Sequence, residues 1–311
     1  MNSVLPIVLF AALTALEVSA QTPTASTPGK EAPSPAPASS AEKPSSLSPG
    51  PGNVSWATSV EEARARASKE DKLVFVEFHK KECGNCERMD NLLYPSPDLV
   101  AMLATMVPAK VDLESLTGSE LSERYGFQET PAILVTTPEG RLVFLMEGFH
   151  NQGEFFRNAY AGVESYRKFA KRVESQDIAK LPMKDALETG TELYRRSDPE
   201  AALPRLRRAA VAPGARGVER QDALELLAAT EFDLGQADSS RRTIEKLIAM
   251  TKDVARKERA ELFRAQIPLA ENRPVEALAL FRKFQKDHPG SVHIAQVNEV
   301  VQKLEERVPR P

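Results

Sequence analysis

The sequence predicts a mixed β-sheet flanked by helices, followed by a separate region built only of helices. Between residues 56 and 175 the apolar pattern alternates between helical and strand periods, whereas beyond residue 176 the strand patterns stop. In the second region, loop signals recur at a constant distance, which is typical of stacked helical hairpins. A chain of 311 residues is long enough for two such domains, each with its own core.

Residues 1–20 are predicted to be a signal peptide. The apolar run LPIVLFAALTAL has the length of the central part of such a peptide, and Val18 and Ala20 place small residues before a cut at Gln21. The run is not preceded by Lys or Arg, so a cytosolic N-terminus is the alternative. No cysteine follows the run, which argues against a bacterial lipoprotein anchor. We therefore expect an exported protein, periplasmic or secreted.

Residues 21–53 are predicted to be a disordered linker rich in Pro, Ser and Ala. They contain eight of the 23 prolines and too little apolar surface to offset the entropy lost on ordering. The mature chain has no run of about 18 apolar residues, so we expect no transmembrane span. Its formal net charge of −3 gives no reason to expect nucleic acid as a partner.

Residues 54–175 are predicted to form the α/β domain. A helix over 60–72 precedes the run LVFVEF at 73–78, which is typical of a strand buried on both faces of a sheet. The remaining elements are a helix over 84–93, a strand over 105–115, a helix over 119–126, strands over 132–137 and 141–149, and a helix from about residue 152. The turn residues PEG at 138–140 predict a hairpin between the last two strands.

Residues 176–311 are predicted to form the all-α domain. Breaks at Asp198, Gly235 and Asn272 lie 37 residues apart, and an apolar-periodic helix stands on each side of every break. A helical hairpin of this size cannot bury its apolar face without a neighbour. The spacing therefore predicts stacked helical repeats, with a plain helical bundle as the alternative.

The last of these units resembles a tetratricopeptide repeat. Ala265, Ala277, Phe281 and Pro289 occupy the small, aromatic and terminal proline positions of that family. The earlier units depart from the pattern, and one of them has Pro204 inside a helix. The resemblance implies a TPR-like domain with a concave surface for a protein partner.

The stretch FHKKECGNCER holds the two cysteines of the chain, Cys83 and Cys86, separated by Gly84 and Asn85. A structural zinc site needs four Cys or His ligands, and only His79 lies nearby in the sequence. A structural disulfide would close a loop too short to gain much stability. Redox exchange is the third use of such a pair. We expect this use, with no metal and no bound cofactor.

The position of the pair favours redox chemistry. It follows a buried strand and opens a helix, where backbone N–H groups and the helix dipole favour a thiolate at Cys83. The two lysines just before the pair add positive charge. Cys86, one helical turn later, is expected to lie deeper and to attack a mixed disulfide formed at Cys83. Gly84 leaves room for a substrate, and we assign it to substrate binding together with Asn85.

Residues 56–165 resemble a thioredoxin-fold domain, and are most similar to exported proteins that open with Trp, an EEA helix and a K-x-V-x-V-x-F strand. The resemblance implies that Glu77 is the buried strand acid that helps to move the proton of the resolving cysteine. It also implies that Lys110, in the stretch AKVD, is the lysine beside that acid. A plain edge-strand glutamate is the alternative for Glu77.

The same resemblance assigns a role to the stretch ETP. It implies a cis-proline at Pro131 that faces the cysteines, with Gly148 as the glycine after the last strand. A cis bond before proline costs little, and the backbone of Thr130 is then exposed for pairing with an extended substrate. The alternative is an ordinary trans proline at the start of a strand.

The chain departs from the family pattern beside the cysteines. Glu82 stands where the family usually has tryptophan, and the intervening pair is Gly-Asn instead of Gly-Pro. An acid at this position opposes thiolate formation. His79 is either a second proton carrier or a partly exposed residue that leaves the strand.

We therefore expect an exported thiol–disulfide oxidoreductase. Cys83 is the nucleophile, Cys86 the resolving thiol, and Glu77 with Lys110 the proton-transfer pair. The expected partners are proteins with disulfides or thiols, a redox partner that supplies or accepts electrons, and a protein bound to the repeats. The alternative is a non-catalytic scaffold in which the repeats carry the function and the cysteines form a passive disulfide.

Overall fold

The computed structural model describes residues 55–212 and 217–307. The predicted signal peptide and linker, residues 1–20 and 21–53, lie outside the described residues and stay predictions. Within the described ranges, no helix combines the length and the apolar character needed to cross a bilayer.

The described chain divides into two compact units. The first contains the residues up to Gln176 together with Arg195–Asp198, and the second contains Asp177–Tyr194 with the residues from Pro199 onward.

The first unit alternates helices and strands. Its helices are α1 (Val60–Glu70), α2 (Gly84–Leu92), α3 (Pro97–Ala104), α4 (Leu116–Tyr125) and α5 (Gln152–Glu174). Its strands are β1 (Leu73–His79), β2 (Met106–Asp112), β3 (Ala132–Thr136) and β4 (Leu142–Glu147). The sequence pattern predicted each of these elements except α3, which begins at Pro97 in the favourable first position of a helix.

The four strands form a mixed sheet in the order β2-β1-β3-β4. Strand β1 pairs in parallel with β2 and antiparallel with β3, while β3 and β4 form the predicted antiparallel hairpin. Strand β1 is therefore an inner strand, and its residues 74–78 are all buried. The predicted fold class of this region, a mixed sheet flanked by helices, is confirmed.

Apolar clusters cover both faces of this sheet. Because side chains alternate along a strand, Val74, Val76 and Phe78 of β1 join the cluster that includes α1 and α4. Phe75 lies on the opposite face, in the cluster that includes Met89 and Phe155 from α2 and α5. Position 77 shares that second face with Phe75, so Glu77 is directed toward the side of the sheet that α2 covers.

In the described residues of the second unit, all the regular secondary structure is helical. After a short 3₁₀ turn it contains α6 (Met183–Arg195), α7 (Pro199–Val211), α8 (Gly217–Asp233), α9 (Ala237–Met250), α10 (Val254–Ala270), α11 (Pro274–Asp287) and α12 (Ile294–Arg307). From α7 to α12, each helix packs against the next along the chain. The predicted C-terminal all-helical region is confirmed.

The helices of the second region meet at the breaks that the sequence indicated. Short turns at residues 196–198, 234–236 and 271–273 join successive helices. Gly235 and Asn272, with φ of 69° and 55°, adopt the left-handed conformation that commonly ends a helix. Ala277 and Phe281, identified by their resemblance to repeat positions, are fully buried in the core of the last hairpin.

Gly118 lies where the first turn of α4 meets the end of β2. A Cβ at this position would stand 2.1 Å from the backbone oxygen of Asp112 and 2.7 Å from the Cα of Leu113. Gly118→Ala is therefore expected to lower the free energy of unfolding by about 1–3 kcal/mol, because backbone atoms have to move. Urea denaturation of the oxidised protein measures this change.

Gly153→Ala is the control for this prediction. The nearest atom to a Cβ built at Gly153 is the Asn151 side-chain oxygen, at an ordinary contact distance of 3.6 Å. Equal stability of the two variants would show that the approach of α4 to β2 is not as tight as described.

Candidate functional site

The cysteine pair lies at the junction between β1 and α2. Cys83 is the N-cap residue of α2, with extended backbone angles, and Cys86 lies in the first turn. Glu82, just before the pair, has a positive φ of 56°, a conformation that turns the chain from the strand into the helix. The predicted position of the pair, after a buried strand and at the start of a helix, is the one that the structure has.

The two cysteines form a disulfide bond. Cys83 is 8% exposed and Cys86 is 5% exposed, so both are largely covered and Cys83 slightly less so. Gly84 and Asn85 between them are exposed, and a Cβ built at Gly84 meets nothing within 4 Å. The surface next to the disulfide is therefore open at the two residues assigned to substrate binding.

Two hydrogen-bond donors point at the sulfur of Cys83. The backbone N–H of Cys86 donates to Sγ at 3.2 Å, and the Thr130 hydroxyl donates to it at 3.6 Å. Donors of this kind stabilise a thiolate at the same atom once the disulfide is reduced. The structure thus brings Thr130 to the sulfur of Cys83, 47 residues away in the sequence.

The segment before β3 faces the cysteines. The Thr130–Pro131 peptide bond is cis, Thr130 is half-buried and Pro131 is buried. The N–H of Gly148 donates to the carbonyl of Pro131 at 2.8 Å, which ties the segment to the end of β4.

Glu147 is a further residue that holds this segment. Its carboxylate accepts hydrogen bonds from the backbone N–H groups of Gln128 and Glu129 at 3.2 and 3.3 Å. Sequence reasoning missed Glu147, because nothing in the chain shows that the last residue of β4 reaches back to the loop before β3.

Glu77 is fully buried on the inner strand β1, where it pairs in register with Lys110 on β2 and Ile133 on β3. The alternative of an edge-strand glutamate is therefore wrong. The ammonium of Lys110 stands 3.3 Å from Glu77 Oε1, as the resemblance implied for these two residues. Burial raises the pKa of Glu77 to about 7, although the charge of Lys110 acts in the opposite direction.

Lys110 has a second acidic neighbour that sequence reasoning missed. Its ammonium donates a hydrogen bond to Asp90 Oδ1 of α2 at 2.8 Å. Burial lowers the pKa of Lys110, but Glu77 and Asp90 together raise it above its ordinary value. Lys110 is therefore a cation that is shared between a buried and a half-exposed carboxylate.

Tyr94 interacts with Glu77, and Trp56 packs against Tyr94. The pKa of the buried Tyr94 is raised well above its ordinary value by burial and by the charge of Glu77. The ring of Trp56, the one tryptophan of the chain, meets the ring of Tyr94 edge to face at a centroid distance of 5.6 Å. Cys86, Asp90 and Tyr94 follow one another at intervals of four residues. Residues at this spacing are neighbours on one face of a helix, so the spacing could have indicated from the sequence that Asp90 and Tyr94 belong to the site.

His79 ends β1 with its side chain half-buried. Burial, and then the charge of Lys110, lower the pKa of His79, so the imidazole is neutral at pH 7. Lys80, Lys81 and Glu82, between His79 and the cysteines, are exposed.

The site residues thus form two groups that α2 links. The sulfur group contains Cys83, Cys86 and Thr130, and the charge group contains Glu77 and Lys110 with the added members Asp90 and Tyr94. Among the described residues, no group of three or more His, Cys, Asp or Glu side chains is placed to hold a metal ion. The chemistry available is sulfur exchange at the start of α2, and α2 also contacts through Asp90 the lysine that pairs with the buried carboxyl of Glu77.

Comparison with known proteins identifies one matching family. Residues 60–159 match the family model described as a thioredoxin-like domain, so the predicted resemblance of this region is confirmed. A solution structure of a thioredoxin from Thermus thermophilus is 28% identical over 32% of this chain and 80% of its own, with a TM-score of 0.30. A search of curated proteins found no match.

The buried carboxyl of Glu77 should make stability depend on pH. The pKa rises from an ordinary value of 4.5 to about 7 in the folded chain, so the native state holds the proton more tightly. This contribution is fully present below pH 4.5 and is lost as the pH rises through 7. We expect Glu77→Gln to equal the wild type in stability near pH 4 and to exceed it by roughly 3 kcal/mol at pH 8.

Denaturant unfolding of the oxidised proteins at several pH values measures this difference. Lys110 keeps Asp90 as a partner in the variant, so its charge is not left alone. A stability difference that is the same at pH 4 and pH 8 would contradict the raised pKa of Glu77.

Proposed function

We propose that this protein is a thiol–disulfide oxidoreductase that exchanges its Cys83–Cys86 disulfide with cysteines of other proteins. One observation carries the proposal: the sulfur of Cys83 lies at the N-terminus of α2 and accepts hydrogen bonds from the Cys86 N–H and the Thr130 hydroxyl. These donors favour the sulfur anion, which is the nucleophile in disulfide exchange. The matching thioredoxin-like domain at residues 60–159 supports the same reaction class.

The proposed reaction has two exchange steps when it starts from the reduced protein. The thiolate of Cys83 attacks one sulfur of a substrate disulfide, so that a Cys83–substrate disulfide forms and the second substrate sulfur leaves as a thiolate. Cys86 then gives up its proton and attacks the sulfur of Cys83. The Cys83–Cys86 disulfide forms, the first substrate sulfur is released, and two electrons have passed to the substrate. A dithiol reductant restores the starting state.

Glu77 is the proposed acceptor of the Cys86 proton. A general base works best when its pKa lies near the working pH, and the pKa of Glu77 is about 7. Cys86 and Asp90 are successive positions on one face of α2, and Asp90 contacts the Lys110 that pairs with Glu77. The face of α2 that carries Cys86 therefore also contacts, through Asp90, the lysine that pairs with Glu77.

Thr130 and Pro131 are the proposed docking segment for the substrate backbone. The segment faces Cys83 through the Thr130 hydroxyl, and its position is fixed from β4 through Glu147 and Gly148. An extended peptide next to it would place a cysteine against the Cys83 sulfur. The exposed Gly84 and Asn85 leave the space for this peptide on the side of α2.

We propose further that the exchange takes place outside the cytosol. The apolar residues 1–20 support export, and an oxidising compartment supports a disulfide as a resting form. The helical region is proposed to bind a protein partner, since stacked helical hairpins offer extended surfaces for recognition.

A scaffold with a passive disulfide is a second candidate, and one observation favours it. Both cysteines are more than nine-tenths covered in the disulfide form. A passive bridge would be present only in its oxidised form in cells, whereas an exchanging pair would be found in both forms. Acid quenching of cells followed by alkylation of free thiols separates the two cases.

Insulin reduction tests the proposed function directly. The purified protein should accelerate precipitation of the insulin B chain in dithiothreitol, and Cys83→Ser should reduce the rate to that of dithiothreitol alone, because the attacking sulfur is gone. Cys86→Ser should instead accumulate a covalent protein–substrate complex that reductant dissolves, because the second step is blocked. A Cys83→Ser variant with the wild-type rate would rule out the proposed role of this sulfur.

A further inference from the structure

The half-exposed carboxylate of Asp90 stands on the solvent side of the buried pair formed by Glu77 and Lys110. The side chain of Glu77 is 0% exposed, that of Lys110 20% and that of Asp90 45%. These three residues belong to β1, β2 and α2 and form a row of charges from the core to the surface. Asp90 is the one member of this row that has no counterpart in the family resemblance.

Lys110 binds Asp90 more closely than it binds Glu77. Its ammonium is 2.8 Å from Asp90 Oδ1 with hydrogen-bond geometry, and 3.3 Å from Glu77 Oε1 as an ion pair without that geometry. Because one ammonium serves two carboxylates, a closer approach to Asp90 leaves Glu77 with less compensation for its burial. The position of Asp90 therefore weakens the stabilisation that Lys110 gives to ionised Glu77.

The charged and titratable groups around Glu77 shift its pKa in different directions. Burial raises the pKa of Glu77. Lys110 from β2 and then the Tyr94 hydroxyl lower it, and the charge of Asp90 from α2 raises it. From the end of β1, His79 faces Lys110, Asp112 and Asp90. Asp90 is thus the group outside the pair whose charge opposes ionisation of Glu77.

We propose that Asp90 is a positioning residue for the exchange: by holding the Lys110 ammonium on the solvent side, it sets the pH at which Glu77 takes the proton of Cys86. This inference rests on the proposed function. Cys86 and Asp90 lie four residues apart on α2, so the helix that carries the resolving sulfur also carries the residue that adjusts its base. The arrangement keeps Glu77 in its protonated form at weakly acidic pH and makes it a base near neutral pH.

Asp90→Asn tests the proposal with little change in shape. The amide oxygen still accepts a hydrogen bond from Lys110, but the negative charge is lost, so the ammonium interacts more strongly with Glu77. Glu77 should then titrate at a pH lower by roughly half to one unit. Asp90→Glu, which restores the charge, should return the titration toward that of the wild type.

Glu87→Gln is the matched control. Glu87 is the other acid of α2, it is exposed, and its replacement changes the net charge by the same amount. The acidic side chains that contact Lys110 are Glu77 and Asp90, and Glu87 is not one of them. The titration of Glu77 should therefore stay at the wild-type value in this variant.

Two measurements on the full protein decide the outcome. Carbon-13 NMR of the Glu77 side-chain carboxyl gives its titration in the oxidised protein, independently of activity. Rapid-mixing measurement of the second exchange step gives the pH dependence of mixed-disulfide resolution. We expect Asp90→Asn to shift both midpoints to lower pH by the same amount.

The results separate the two proposals. An unchanged Glu77 titration in Asp90→Asn, or a shifted titration with an unchanged pH profile of resolution, would overturn the role of Asp90. If the wild-type protein fails to resolve any mixed disulfide while the Glu77 titration still shifts, the proposed function fails and the electrostatic control by Asp90 stands.

Discussion

The position of β1 inside the sheet is the constraint on which the rest of the site depends. An inner strand buried on both faces fixes Glu77 in the core and ends where α2 must begin, so Cys83 falls at the N-terminus of that helix. A carboxyl buried in this way is costly when it is ionised. Lys110 on the neighbouring strand offsets part of this cost, and it also contacts Asp90 of the helix that carries the disulfide.

The sulfur group depends on the same strand for its second half. Strand β3 pairs with β1 on the side opposite to β2, and the segment before β3 therefore returns to the end of β1 where the cysteines lie. The Thr130 hydroxyl reaches the sulfur of Cys83 from this segment, and Glu147 of β4 holds the loop. The parallel neighbour β2 thus places Lys110 beside Glu77, and the antiparallel neighbour β3 places Thr130 beside Cys83.

Much of this could be predicted because the signals are local. The run LVFVEF identifies a buried strand, the PEG turn identifies a hairpin, and Gly235 and Asn272 mark helix ends through their left-handed backbone. Helix α3 was missed because PDLVAMLA is almost continuously apolar and shows no clear helical stripe. Asp90 and Glu147 were missed because their partners lie on other elements, and only the packed fold brings those side chains together.

The Cys83–Cys86 pair is proposed to exchange electrons instead of holding the chain together. Its reduction potential, measured by equilibration with glutathione redox buffers, tests this claim most directly. An exchanging pair should have a value less negative than about −300 mV, within reach of cellular thiol pools. A more negative value, with a bridge that glutathione does not open, would identify a structural disulfide and contradict a role in exchange.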